Sequence, residues 1–175
     1  MAGGNRNSEV MQSIYEGYSR GDRAPFFAAM AEDGRFGFAA RREDIDFAGM
    51  WTGHKNIAES LTKLAKRFQW QKFRCRELIA DGDRVVALTG GEVKCLVSDC
   101  VMPFDMVDVI RFRDGKIVEF VEYFDSAFLR DVVAAQAKPK SLRRQAAPKA
   151  RKKAAPKRAA KPPSRKAKGK PKKRK

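Results

Sequence analysis

The chain has 175 residues, enough for one medium-sized domain with a real core, and a formal net charge of +17. That charge is unevenly placed: residues 136–175 hold 19 of the 38 Lys and Arg and no acid, while the preceding residues hold all 21 acids and sum to −2. No segment approaches the ~20 apolar residues of a membrane span, and Cys75, Cys95 and Cys100 match no zinc or redox spacing, so a metal-free protein in a reducing compartment is expected.

The opening "MAGGNRNSEV" is polar and has no apolar leader segment, so residues 1–7 are expected to be disordered and the protein cytoplasmic. Val10, Met11, Ile14, Tyr15 and Tyr18 then fall at helical spacing behind Asn7-Ser8, a candidate cap, and Gly21 ends that helix. Pro25 opens a second, short helix whose apolar side is Phe26, Phe27 and Met30. "RFGFAAR" reads as a short strand, and residues 41–52 as a loop that turns apolar at its end. Ile57, Leu61, Leu64, Ala65 and Phe68 mark a third helix.

Strands fill most of the remainder. "WQKFRCRELIA" leads through an Asp81-Gly82 turn into "RVVALTGGEVKCL", where Gly90-Gly91 suggests a bulge. "FDMVDVIRFR" and "KIVEFVEYFD" follow, joined by a tight turn at Asp114-Gly115. A short closing helix carries Phe128, Leu129, Val132 and Val133, capped by Asp125 or Ser126.

Helices followed by hairpin-linked strands predict an α+β domain over residues 8–135: a cone-shaped, curved antiparallel sheet with the N-terminal helices covering its concave face. Such a cone leaves an apolar pocket, for which Tyr15, Tyr18, Met30, Phe38, Trp51 and Met106 are the candidate lining. Asp108 stands in an otherwise apolar alternating row of Phe104, Met106, Ile110 and Phe112. An ionised carboxylate in an apolar wall is costly unless paired, so an inward Asp108 is expected to stay protonated and act as a donor. The plainer alternatives are a backbone cap, a pair with Arg111 or Arg41, or a place in a dimer seam.

"YEGYSRGDRAPFFAAMAED", the "GHKNI" from Gly53 to Ile57, the Asp81-Gly82 turn and "VIRFRDGKIVEFVEYFD" together resemble the SnoaL-like branch of the nuclear transport factor 2-like superfamily, over about residues 8–134. The resemblance implies a cone-shaped α+β barrel, usually dimeric through its outer sheet surface. The strand "VDVIRFRDGKI" is similar to one in the ketosteroid isomerases that holds a protonated aspartate against a developing oxyanion, which marks Asp108 as a candidate catalytic acid. The isomerases' general base would align near Phe38 and their helix-one tyrosine near Ile14, with Tyr15 and Tyr18 nearby, so that set is incomplete. Comparison with the limonene epoxide hydrolases places an acid at Glu122 in "VEYFD", a second candidate catalytic residue, and pairs it with positions Gly90 and Glu92, without the arginine that would orient them. The plainer reading of Glu122 is a salt bridge at the mouth of the cone.

His54, the only histidine, opens a helix and is expected to face water. No phosphate-binding glycine loop, nucleophile elbow or dinucleotide fingerprint occurs, so no cofactor is expected. The segment 136–175 has no aromatic residue and six of the eight prolines, and its Lys/Ala/Pro interleaving resembles a linker-histone tail. It is expected to be disordered and to contact DNA or RNA phosphates without reading sequence, through Arg143, Arg144, Lys152, Lys153, Lys157, Arg158, Lys172 and Lys173 among others. A small hydrophobic ligand, a second copy of the chain and a nucleic acid are thus the expected partners, no membrane is expected, and a nucleoid-associated place in the cytoplasm follows. The alternative function is a non-enzymatic dimerisation module that presents the basic tails.

Overall fold

The computed structural model describes residues 2–137, and side chains over 6–134. The eight basic residues assigned to nucleic acid, Arg143 to Lys173, lie outside the described residues. Four helices and six strands run in the order α1 (Ala2–Ser19), α2 (Ala24–Ala29), β1 (Met30–Phe38), β2 (Gly49–Thr52), α3 (His54–Ala65), β3 (Phe68–Asp81), β4 (Arg84–Cys95), β5 (Cys100–Arg113), β6 (Lys116–Phe124) and α4 (Ser126–Ala137).

The six strands form one open sheet in the order β2-β1-β6-β5-β4-β3. Every neighbouring pair is antiparallel except β1 and β6, which run parallel. The expected all-antiparallel sheet is therefore mixed. The reason is connectivity: hairpins link β3 through β6, whereas β1 reaches β6 only across the whole of that run.

Local chemistry explains most boundaries. The Asp114-Gly115 turn has positive φ at both residues, +53° and +74°, the conformation a two-residue hairpin needs and one that Asp and Gly tolerate. Asp125 Oδ1 accepts from the Phe128 backbone N–H at 2.9 Å, so Asp125 caps α4. Other boundaries move. Helix α1 begins at Ala2, ahead of the Asn7-Ser8 pair expected to cap it. Met30 is extended, with φ −70° and ψ 135°, so it opens β1 rather than closing α2. Phe68 opens β3 opposite Cys95 instead of ending α3. The bulge expected at Gly90-Gly91 is absent from β4; the irregularities fall on its partner β3, between Trp70 and Lys72 and between Cys75 and Glu77.

The core is aromatic. Phe26, Phe36, Phe38, Phe47 and Phe120 are buried and meet mainly edge to face at centroid distances of 5.1–5.9 Å. Packing α1 and α3 against the inward side of the sheet buries Met11, Ile14, Ile57 and Leu61. Among the described residues no helix is long and apolar enough to cross a membrane, and no group of three or more His, Cys, Asp or Glu could hold a metal ion. All three cysteines are free thiols.

Candidate functional site

A cavity of about 530 Å³ opens between α1, the α1–α2 turn, α3 and the inward face of the sheet. That volume lies within the ~300–1,000 Å³ range of small-molecule sites. Its wall is largely apolar, with Phe38, Trp70, Met102, Phe104, Met106 and Phe124 supplying much of it. Tyr18 and Glu122 are the polar groups set into that wall, and Arg20, Arg23 and Gln69 stand among the lining residues as well.

Sheet register brings the two candidate acids together. Asp108 and Glu122 are direct partners across β5 and β6, so both project from the same face. Glu122 is also the ladder partner of Phe38 in β1. An acid on β6 therefore stands beside the position where the isomerase resemblance placed its base, on the neighbouring strand.

Asp108 is 1% exposed and lies behind the cavity lining rather than in it. Neither expected arginine reaches it: Arg41 pairs with Glu43 and Asp44, and Arg111 is exposed. Its Oδ2 accepts instead from the Tyr15 hydroxyl at 2.7 Å and from the Thr89 hydroxyl at 3.3 Å. Its Oδ1 is buried without a hydrogen-bond partner among the described residues. Burial pushes the Asp108 pKa up to about 7, against the opposing pull of the Tyr15 and Thr89 hydrogen bonds. Both donors fall on Oδ2, which leaves Oδ1 as the oxygen open to a proton in the neutral acid.

Among the described residues Glu122 makes no ion pair, in place of the salt bridge expected at the mouth of the cone. Burial, and then the nearby Asp108 charge, hold its carboxyl well above the usual carboxylate range. Two carboxyls across one ladder step do not both ionise readily, so the pair titrates as a unit and keeps a proton further into the neutral range than either acid would in water.

Tyr18 completes the wall. Burial and the Glu122 charge raise its pKa to about 12, so it remains a phenol. Its ring meets Phe73 edge to face at 5.1 Å, and Phe73 packs in turn against Trp70. Tyr15 is likewise raised well above 10, by burial first and by Asp108 second, so its hydroxyl is the donor in the contact with Asp108.

The candidate residues thus separate. Tyr18, Phe38, Met106 and Glu122 line the cavity; Asp108 and Tyr15 form a second layer behind it. Met30 and Trp51 are packed elsewhere: Met30 lies under Gly34, and the Trp51 indole donates to the Phe47 carbonyl with the Arg42 guanidinium 3.9 Å over its ring. The epoxide-hydrolase positions point the wrong way. Inward residues of β4 are Val85, Ala87 and Thr89, so Gly90 abuts Asp105 on the outer side and Glu92 pairs there with Lys72 at 2.9 Å. His54 is half-buried rather than water-facing, its Nε2 lying 3.2 Å from the Met30 carbonyl oxygen. Sequence reasoning missed Thr89, for which its inward parity on β4 was the available signal.

The SnoaL-like domain family matches residues 11–120, and the chain belongs to that family. Solved structures show the same fold. A nuclear transport factor 2-like protein of unknown function from Burkholderia pseudomallei K96243 is 23% identical, with a TM-score of 0.68 over 73% of this chain and 97% of that one. TerC, co-crystallised with polyporic acid, is 24% identical, with a TM-score of 0.66 over 74% of this chain and 98% of that one. A proposed polyketide cyclase from Xanthomonas campestris pv. campestris is 17% identical, with a TM-score of 0.58 over 75% and 96%. No curated protein matches the chain.

Proposed function

We propose that the domain binds a small, largely apolar carbonyl compound in its cavity and turns it over by proton transfer, as an isomerase or cyclase. The observation that carries this reading is Glu122: an unpaired carboxyl of raised proton affinity in an apolar cavity wall, backed by Asp108 and close enough to Tyr18 to raise its pKa. Ionised Glu122 takes a proton from the carbon beside the carbonyl, and the electron pair moves onto oxygen as an enolate. The Tyr18 hydroxyl donates to that oxygen. Glu122 then returns its proton to a different carbon, which isomerises the compound; alternatively the enolate carbon attacks a second carbonyl of the same molecule, closing a ring, and Glu122 protonates the resulting alkoxide. Neither route consumes another reagent. Asp108 touches no ligand here; with Tyr15 and Thr89 it sets the proton affinity of Glu122, a role one layer behind the catalytic acid expected of it.

The names carried by structural neighbours, a polyketide cyclase and a protein holding polyporic acid, accord with a site for cyclic carbonyl compounds. The basic segment 136–175 tethers this domain to DNA or RNA, in the cytoplasm and against the nucleoid, and a second copy docks on the outer sheet surface. Support for that surface comes from Ile79 and Val101, each about half exposed on the outer side of β3 and β5.

The test is hydrogen–deuterium exchange at the carbon beside the carbonyl of 1-tetralone, followed by NMR in D2O. Exchange above the buffer rate is expected, with a loss of ~100-fold or more in Glu122→Gln and about tenfold in Tyr18→Phe. Binding of the ketone with no exchange above buffer would replace the enzyme by the non-catalytic binding module.

A further inference from the structure

The cavity carries a charge asymmetry that proton transfer does not use. Arg20, Arg23 and Glu122 are the only Arg, Lys, His, Asp or Glu residues of its lining among the described residues. The two guanidinium groups outnumber the single carboxyl, so the wall is net positive whether or not Glu122 is ionised. Neither guanidinium makes an ion pair or hydrogen bond among the described residues. Asp22 stands between them in sequence, outside the cavity lining, where its Oδ1 accepts from the Ala24 backbone N–H at 2.8 Å. Arg20 is exposed and Arg23 half-buried on the α1–α2 turn, whereas Glu122 projects from β6 across the cavity beside Asp108, which is 1% exposed.

We infer that the ligand is amphipathic: an apolar ring system seated against Phe38, Trp70 and Phe104, with an anionic group, a carboxylate or an acidic enol, held at the mouth by Arg20 and Arg23. Guanidinium groups suit such an anion because their planar N–H donors match its oxygens two at a time. The anion is disfavoured at the Glu122 end, where no cation of the lining stands beside it and where it would oppose the ionisation of Glu122. The ligand is thereby oriented, with the carbonyl inward to Glu122 and Tyr18 and the charge outward. This inference rests on the cavity being a ligand site, and extends that reading to the ligand's class and direction of entry.

Two fluorescent probes separate the two statements. 8-Anilino-1-naphthalenesulfonate and N-phenyl-1-naphthylamine share one aromatic body and differ by the sulfonate. Titrated into the full chain, the sulfonate should bind about tenfold more tightly than its neutral analogue. Arg20→Gln/Arg23→Gln should weaken the sulfonate about tenfold and move the neutral probe less than about twofold. The basic segment 136–175 is common to both proteins, so its attraction for the sulfonate cancels in that comparison. Binding of the neutral probe with no loss of sulfonate affinity in the double variant would overturn the anion inference and leave the apolar site standing. Failure of both probes to bind would overturn the ligand site and the inference with it.

Discussion

Asp108 releases its proton near pH 3.8 as a free side chain but near 7 in the folded domain, and Glu122 is shifted in the same direction. Between those pH values the folded state binds more protons than the unfolded state. Stability is therefore fully present below about pH 4 as far as this pair is concerned, and falls as pH rises through 7. The loss is on the order of 2–4 kcal/mol for a shift of this size. Urea unfolding should show a lower free energy at pH 8 than at pH 5, with a smaller difference in Asp108→Asn and the smallest in Asp108→Asn/Glu122→Gln. An identical slope in all three proteins would mean that the carboxyls are not held as described. The inward position of Asp108 was legible in the sequence, because alternation along a strand is local. Its partner was not: Tyr15 lies 93 residues away, and which helix turn faces which strand residue depends on how α1 packs.

Strand β4 shows how one step of register decides chemistry. Gly90 and Glu92 match the epoxide-hydrolase positions by residue type, yet they face outward, while Thr89 faces Asp108. Gly91 keeps β3 and β4 in register where β3 is irregular on both sides. Its φ is +153°, and a Cβ there would run into the Lys72 carbonyl. Gly91→Ala should destabilise the fold by about 2–4 kcal/mol, since both the dihedral and the contact are unfavourable. Gly82, at the tip of the β3–β4 hairpin, has φ +56° but open space around it, so Gly82→Ala should cost only about 1 kcal/mol. Equal costs in denaturant melts would show that the strand contact relaxes and that only the dihedral matters. The glycine pair was visible in the sequence as an irregularity; that the extra residues sit on the opposite strand was not, because a bulge is a property of a pairing.

At the scale of the whole molecule the charge divides the chain into a near-neutral domain and a polycation. The two parts should be separable. Full chain should bind duplex DNA with an affinity that drops steeply between ~50 and ~200 mM salt, and a truncation ending at Ala135 should bind at least ~100-fold more weakly. Equal binding by both would place the nucleic-acid contact on the folded domain or nowhere. The same truncation should leave ketone exchange within about twofold of the full chain, because among the described residues no group of the cavity lies beyond Leu129.

Composition and periodicity by themselves determined the α+β class, the inward row holding Asp108, the Asp114-Gly115 turn and the change of charge at residue 136. Each depends on backbone preferences or charge within a few neighbouring residues. Only the tertiary structure decided that Tyr15 and Thr89 hold Asp108, that Glu122 is the acid on the cavity wall, and that β1 runs parallel to β6. Those contacts join residues from separate elements, and their geometry follows from sheet register and helix packing, which no local pattern contains.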